Sequence, residues 1–379
     1  MRVLILSPAL GTTGGIQRYT AALLRAFADV VGDGQVRCLA LPDVSQTLGP
    51  VRLPVLSRLH YLCQAFWQNA VYRPDLIMCT HLSLGPIGWL LARLGGCPYW
   101  IVAHGIEAWV VLPRLKHGAL SRANRVIVTS KFSRDLLVER QGIAPDLLVN
   151  PPCALDPMLL NIKPVEKADL AFLGGRRVLL TVSRMIGSER YKGQDVVLKA
   201  LPSVVWQVPD LAYVIVGDGD DRPRLQKLAA DLGLGRYVFF TGITSDAELA
   251  ALYQRSEVFV LPARTVIDDR DSKGEGFGIV FLEAMAYGKP VIGPDYGAPR
   301  ELIRSGENGL LVDPEDVTSV AEAILSLLAN PEAARQMGKT GQTWAQTSHS
   351  YASFRGRLLQ ILRTSYAGQE SSTSGSCAY

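Results

Sequence analysis

Residues 178–219 decide the fold. They open on Val178-Leu-Leu-Thr-Val-Ser183, pass through a helix-like stretch, and close on Ala212-Tyr-Val-Ile-Val-Gly-Asp-Gly219. A continuous run of Val, Ile and Leu suits a strand buried on both faces, and a helical crossover is what a parallel pair needs between its strands. The unit repeats downstream in YVFFTG (237–242), VFVLPA (258–263), PVIGP (290–294) and GLLVDP (309–314). Upstream the same alternation runs through VLILSP (3–8), DLIMCT (75–80), YWIVAH (99–104), RVIVTS (125–130) and LLVNPP (147–152). Between the two sets, NPPCALDPMLLNIKP (150–164) breaks the periodicity with four prolines and reads as a linker. The pattern predicts an α/β chain of two Rossmann-like domains, residues 1–160 and 166–350, with parallel sheets facing a central cleft. The Ser/Gly-rich tail, residues 367–379, is expected to be disordered.

Composition narrows the function classes. A chain of 379 residues with 48% hydrophobic and 20% charged residues has ample material for two cores. Its six cysteines are scattered, with neither Cys-x-x-Cys nor metal-ligand spacing, and its five histidines are equally dispersed. That usage fits a reducing cytoplasm and predicts no structural metal. The opening MRVLILSPALG reads as a first strand rather than a signal peptide, and the run IGWLLARLGG is broken by Arg93 before it could span a bilayer. The expected location is therefore cytoplasmic. Net charge is +4 overall but +7 over residues 1–165 and −3 over residues 166–379. Arg114, Lys116, Arg122, Arg125, Lys131 and Arg134 form a basic cluster with no acid between Glu107 and Asp135. It fits a solvated helical face, or peripheral contact with an anionic membrane at its inner side. Nucleic acid is not expected, because no aromatic residues interleave the cluster as a binding stripe would need.

The chemistry concentrates in Glu275-Gly-Phe-Gly-Ile-Val-Phe-Leu-Glu283. A helix starting near Gly278 places Glu283 inside it and leaves Glu275 on the loop at its mouth. Carboxylates accept paired hydrogen bonds from vicinal sugar hydroxyls, while a helix N-terminus with small residues favours phosphate. Both glutamates could equally be helix-end surface charges. After strand 178–183, Arg184 and Lys192 could grip a diphosphate, the first as a fork and the second as a point charge, with Arg190 as a rival. The loop Gly11–Gly15 opens a helix but lacks dinucleotide-fingerprint spacing, and Gly217-Asp-Gly219 carries Arg222 where a third glycine would stand. His104 ends a strand, where it is either a satisfied core residue or a hydroxyl ligand. Asp269-Arg-Asp271 reads as part of a solvated, mobile loop.

Taken in order, GTTGGIQ, VAHG, SR...YKG, VGDG, FTG, EGFGIVFLEA, GKPVIG, GAPREL and ENGLLV closely resemble the family-4 retaining glycosyltransferases of the GT-B fold. The resemblance extends to about residue 365. It implies a donor held by the second domain, an acceptor held by the first, and a last helix (about 351–366) returning to the first domain. Position by position, it implies that Glu283 binds the nucleotide ribose. Glu275, with the backbone of Phe277, Gly278 and Ile279, holds the donor sugar or its phosphate. Arg184 and Lys192 hold the diphosphate, Gly14 and Gly15 approach it from the other domain, Ile243 offers its backbone to the base, and His104 faces the sugar. It further implies metal-independent, front-face chemistry without a protein nucleophile.

The resulting expectation is a retaining hexosyltransferase of polysaccharide or glycolipid assembly, with no cofactor beyond its nucleotide-sugar donor. GDP-mannose is favoured over UDP-glucose, and the acceptor is a glycan or a lipid-linked precursor. The alternatives are a GT-B epimerase or phosphorylase, and a non-catalytic sugar-nucleotide-binding partner.

Overall fold

The structure, a computed structural model, describes residues 1–8, 14–41, 53–151, 153–155 and 167–373. The chain divides into two compact units, Met1–Ala154 joined by the segment from Tyr351 onward, and Leu155–Ser350. Most of the proline-rich linker and the loop residues Gly11–Thr13 lie outside the described residues.

The first unit contains, in order, β1 Val3–Ser7, α1 Gly15–Val31, β2 Val36–Ala40, α2 Leu53–Tyr72, β3 Leu76–Cys79, α3 Gly85–Gly95, β4 Tyr99–Ala103, α4 Ile106–Trp109, α5 Arg114–Ser121, β5 Arg125–Val128, α6 Lys131–Gln141 and β6 Leu148–Val149. Its sheet has the order β2-β1-β3-β4-β5-β6, with every pairing parallel. Strands β1, β3 and β4 are buried along their whole length because helices cover both faces, whereas edge strand β2 exposes Arg37 and Cys38.

The second unit contains β7 Arg177–Val182, α7 Gln194–Gln207, β8 Leu211–Val216, α8 Arg222–Asp231, β9 Val238–Gly242, α9 Asp246–Arg255, β10 Val258–Val260, α10 Ile279–Ala286, β11 Val291–Pro294, β12 Gly309–Val312, α11 Val317–Ala329 and α12 Pro331–Ser348. Its sheet order is β12-β11-β10-β7-β8-β9, again parallel throughout. Each unit contains a buried apolar cluster, around Leu4, Ile77, Ile101 and Val126 in the first and Leu179, Leu201, Tyr213 and Ile324 in the second. The expected pair of parallel α/β sheets is present.

The final helix, α13 Tyr351–Thr373, belongs to the first unit and packs on α1. Tyr351 donates its hydroxyl to Asp29 at 2.7 Å, Arg355 stands 3.7 Å from the same carboxylate, and the Phe354 ring meets Tyr19 edge-on. The helix runs on to Thr373, inside the segment 367–379 expected to be disordered. Residues 374–379 lie outside the described residues.

In an open parallel sheet, ligands bind beyond the carboxyl ends of the strands where the winding direction reverses. In the first unit the chain steps from β1 out to β2, then returns past β1 to β3, so the reversal lies between β1 and β3. In the second it runs β7, β8, β9 and then returns to the other flank of β7 as β10. Each sheet thus nominates two loops, and these loops carry most of the residues singled out above.

Candidate active site

The reversal in the second unit lies between β7 and β10, and its two loops are stitched together. Gly193, with φ +80, ends the loop after β7 and caps α7. A Cβ there would stand 2.2 Å from the Pro262 carbonyl oxygen, so only glycine lets the two loops approach this closely. The Arg264 amide donates to the Tyr191 carbonyl at 2.7 Å, and its guanidinium to the Arg190 carbonyl at 2.6 Å.

Across this seam Lys192 pairs with Glu275, both side chains largely buried. Residues 83 apart in sequence are thereby joined at the point where the topology predicts a ligand. A buried ion pair is costly unless its remaining hydrogen-bonding capacity is used, so this pair holds an ammonium and a carboxylate ready for a polar ligand. Arg190, the rival cation, is committed elsewhere: its Nε donates to Asp221 at 3.0 Å. Hydrogen bonds from Arg224 and then Arg190 hold that carboxyl below the usual aspartate range. Arg184 is 64% exposed and bonds Glu189 at 2.6 Å, leaving guanidinium donors directed to solvent.

Glu283 is no surface charge. It is 4% exposed on α10, a helix apolar on all sides, and accepts a 2.9 Å hydrogen bond from the Tyr253 hydroxyl. Gly278 caps this helix at φ +95, and Phe277 beside it packs on the His349 ring. The Phe281 amide donates to the Gly278 carbonyl at 3.0 Å, whereas the amides of Ile279 and Val280 stand ahead of the first helical carbonyl. Ile243 follows edge strand β9, and its side chain is 78% exposed. Two strand spacings, ~10 Å, separate β9 from β7.

The other glycine pair has a packing role. A Cβ on Gly217 would lie 2.1 Å from the Ser183 carbonyl, and one on Gly219 2.1 Å from that of Met185. These glycines let the loop after β8 lie against the loop carrying Arg184. The Asp269–Asp271 stretch is exposed to solvent, as expected, and its loop is hydrogen-bonded within itself. Val266 and Lys273 bridge across it, Asp268 accepts the amides of Arg270 and Asp271, and buried Ser272 bonds Asp268.

In the first unit Gly14 (φ +112) and Gly15 open α1 beyond β1. His104 follows β4 and is 7% exposed. Its Nε2–H donates to the Thr80 carbonyl at 2.7 Å, which leaves Nδ1 as the acceptor in the neutral ring. Burial pushes this imidazole below its ordinary pKa, against the opposing pull of Glu107. Tyr19 meets it edge-on at 5.5 Å, and His81, just past β3, stacks beside it at 6.1 Å.

Comparison with known proteins identifies the architecture. Residues 163–344 match the family model described as glycosyl transferases group 1, and residues 14–153 match the glycosyl transferase 4-like domain. The chain is 35% identical over 288 residues to the GDP-mannose-dependent alpha-(1-6)-phosphatidylinositol monomannoside mannosyltransferase of Mycolicibacterium smegmatis, covering 74% of this chain and 72% of that protein. The chain is a family-4 glycosyltransferase. This glycosyltransferase is also 26% identical to D-inositol 3-phosphate glycosyltransferase 1 of Catenulispora acidiphila, over 95% of its own length and 93% of that protein. Its fold is that of Anabaena HepE in complex with UDP, with a TM-score of 0.77 at 21% identity over 96% of this chain and 100% of that one. The GT-B fold implied by the sequence resemblance is therefore present.

Three residues of these surroundings were not read from the sequence. Tyr253 lies 30 positions from Glu283, and nothing local announces the contact. Tyr191 is hidden in its own motif beside Lys192. His81 carried a usable signal, since it follows a buried apolar strand just as His104 does.

Proposed function

We propose that this glycosyltransferase moves mannose from GDP-mannose to a lipid-linked or polysaccharide-precursor hydroxyl, with retention at the anomeric carbon. The Lys192–Glu275 pair at the β7/β10 reversal carries the reading, because it places a phosphate-binding cation against a hydroxyl-binding carboxylate. Mannose and a phosphoinositide-type acceptor are supported by the names of the mannosyltransferases that the chain resembles. UDP-glucose is the competing donor.

In this reading the first-turn amides of α10, with Lys192 and Arg184, receive the diphosphate and meet the charge that grows on it as the sugar departs. Glu275 holds the sugar hydroxyls and, in the front-face chemistry that the family resemblance implies, does not attack. The acceptor oxygen forms its bond to the anomeric carbon on the face from which the phosphate leaves, and its proton passes to the departing phosphate oxygen. Glu283 takes the ribose with the carboxylate that Tyr253 orients, and the Ile243 backbone lies along the base. Gly14, Gly15 and His104 serve from the first unit, where the acceptor binds.

The lipid-linked acceptor also rests on surface chemistry. Between Asp43 and Asp135 the only acids are Asp75 and Glu107. Helices α2, α3 and α5, which pack in succession, expose Leu59, Phe66, Trp67, Leu94 and Leu115 among their arginines and lysines. Such a face suits the inner, anionic side of a membrane. Among the described residues no helix is long and apolar enough to cross one.

Titration calorimetry with GDP-mannose and UDP-glucose, followed by analysis of the product anomer, tests the reading. Glu275→Gln is expected to cut transfer about 100-fold or more while the nucleotide alone still binds. Unchanged transfer would remove Glu275 from the site.

A further inference from the structure

We propose that His81 determines acceptor specificity, reading an acceptor hydroxyl through a ring held in a single donor state. The inference rests on the proposed binding of the acceptor to the first unit.

His81 stands at the carboxyl end of β3, one of the two strands that flank the reversal in its sheet. Its backbone opens a single 3-10 turn, Leu82–Leu84, anchored by buried Leu82 and Leu84. The Ser83 amide donates to His81 Nδ1 at 3.1 Å, and Ser83 Oγ lies 2.8 Å from the same atom. A backbone N–H can only donate, so Nδ1 must be unprotonated, and the neutral ring carries its proton on Nε2. Among the described residues Nε2 has no hydrogen-bond partner. The ring stacks on His104 at 6.1 Å with planes 28° apart, which fixes its tilt.

Of the two histidines, His81 is the accessible one. His104 is buried, hemmed in by Tyr19 and tied to the Thr80 carbonyl, whereas His81 is half-buried. Capping the short turn explains Nδ1 and leaves Nε2 without a role. A fixed, uncharged N–H at the ligand-binding edge of a sheet is a selective contact for a hydroxyl oxygen. A hydroxyl that accepts from Nε2 has a lone pair occupied and is less nucleophilic for it, so the contact belongs to a neighbour of the reacting hydroxyl. His81 therefore orients the acceptor and takes no part in bond making. A site built to hydrogen-bond one hydroxyl discriminates strongly against an analogue that lacks it.

The decisive variant is His81→Asn. Asparagine is a good cap, and its Oδ1 can still accept the Ser83 amide, but its side chain cannot reach where Nε2 stood. Mannosyl transfer from GDP-mannose is measured with two acceptors, phosphatidylinositol monomannoside in detergent micelles and soluble D-inositol 3-phosphate. The expected result is a rise of about tenfold or more in KM for whichever acceptor the wild-type enzyme uses. KM for GDP-mannose and the melting temperature should hold. Ser83→Ala, which loosens the ring without removing it, should give a smaller rise in the same constant. An acceptor KM within twofold of wild type in His81→Asn overturns the inference and leaves the proposed function intact. A wild-type enzyme that glycosylates neither acceptor from any GDP- or UDP-sugar overturns the proposed function, and this inference with it.

Discussion

At the scale of single residues, two groups test how burial sets chemistry here. Glu283 and Tyr253 share one hydrogen bond inside an apolar helix layer. Tyr253→Phe removes this bond and is expected to destabilise the ligand-free protein by about 1–3 kcal/mol in urea denaturation. An unchanged urea midpoint would show that the bond adds nothing to the fold. His104 supplies a pH test. Its folded pKa lies below the unfolded value of about 6.5, with desolvation the leading cause. The unfolded chain thus takes up more protons as pH falls, so the stability His104 confers is complete above about pH 6.5 and is lost as pH drops through the folded pKa. Melting curves at pH 7.5 and pH 5 should show a stability difference between wild type and His104→Gln that shrinks at the lower pH. A pH-independent difference would contradict this.

At the scale of elements, the site depends on how loops leave their strands. Gly193 is the joint: it combines a left-handed φ with contact against the Pro262 carbonyl. Gly96, which caps α3 at φ +65, is the matched control, because nothing lies within 4 Å of its would-be Cβ. Gly96→Ala should cost about 1–2 kcal/mol, the left-handed penalty alone. Gly193→Ala should cost at least twice that and should also weaken GDP-mannose binding, since the loops after β7 and β10 must separate. Equal urea midpoints for the two variants would mean that the close approach matters little. The same joint shows what could be read in advance. The pattern YKG was visible as a motif, but its reason, the carbonyl of Pro262 some seventy residues on, was not. Likewise the Gly217–Gly219 turn was legible as a glycine turn lacking the third glycine of a phosphate loop, whereas the close approach of Ser183 and Met185 that its glycines permit was not. Local sequence marks where glycine is needed, and only the neighbouring chain says why.

At the scale of the molecule, charge asymmetry becomes a surface. The excess of basic residues in the first half was legible, and the Arg114–Arg134 cluster was read as its centre. In the structure that cluster is spread over α5, β5 and α6, while α2 and α3 add exposed aromatic and leucine side chains. Trp67, 58% exposed, is the residue that would anchor the proposed membrane contact. The glycosyltransferase is expected to sediment with vesicles containing phosphatidylglycerol and not with pure phosphatidylcholine, and to release as salt screens the arginines and lysines. Trp67→Ala should weaken vesicle binding several-fold without lowering the melting temperature. Equal binding to neutral vesicles would set aside the electrostatic part of the proposal.

The sequence by itself determined the two parallel α/β sheets and the family, because strand and helix periodicity and short glycine-bearing motifs are local. A buried parallel strand must be apolar along its length wherever its partner lies. Tertiary structure decided what depends on pairing between distant residues. It joined Lys192 to Glu275 across the two loops of a winding reversal, buried Glu283 against Tyr253, committed Arg190 to Asp221, and set His81 beside His104. These contacts follow from strand order, and strand order is chosen by non-local packing that no stretch of ten residues encodes.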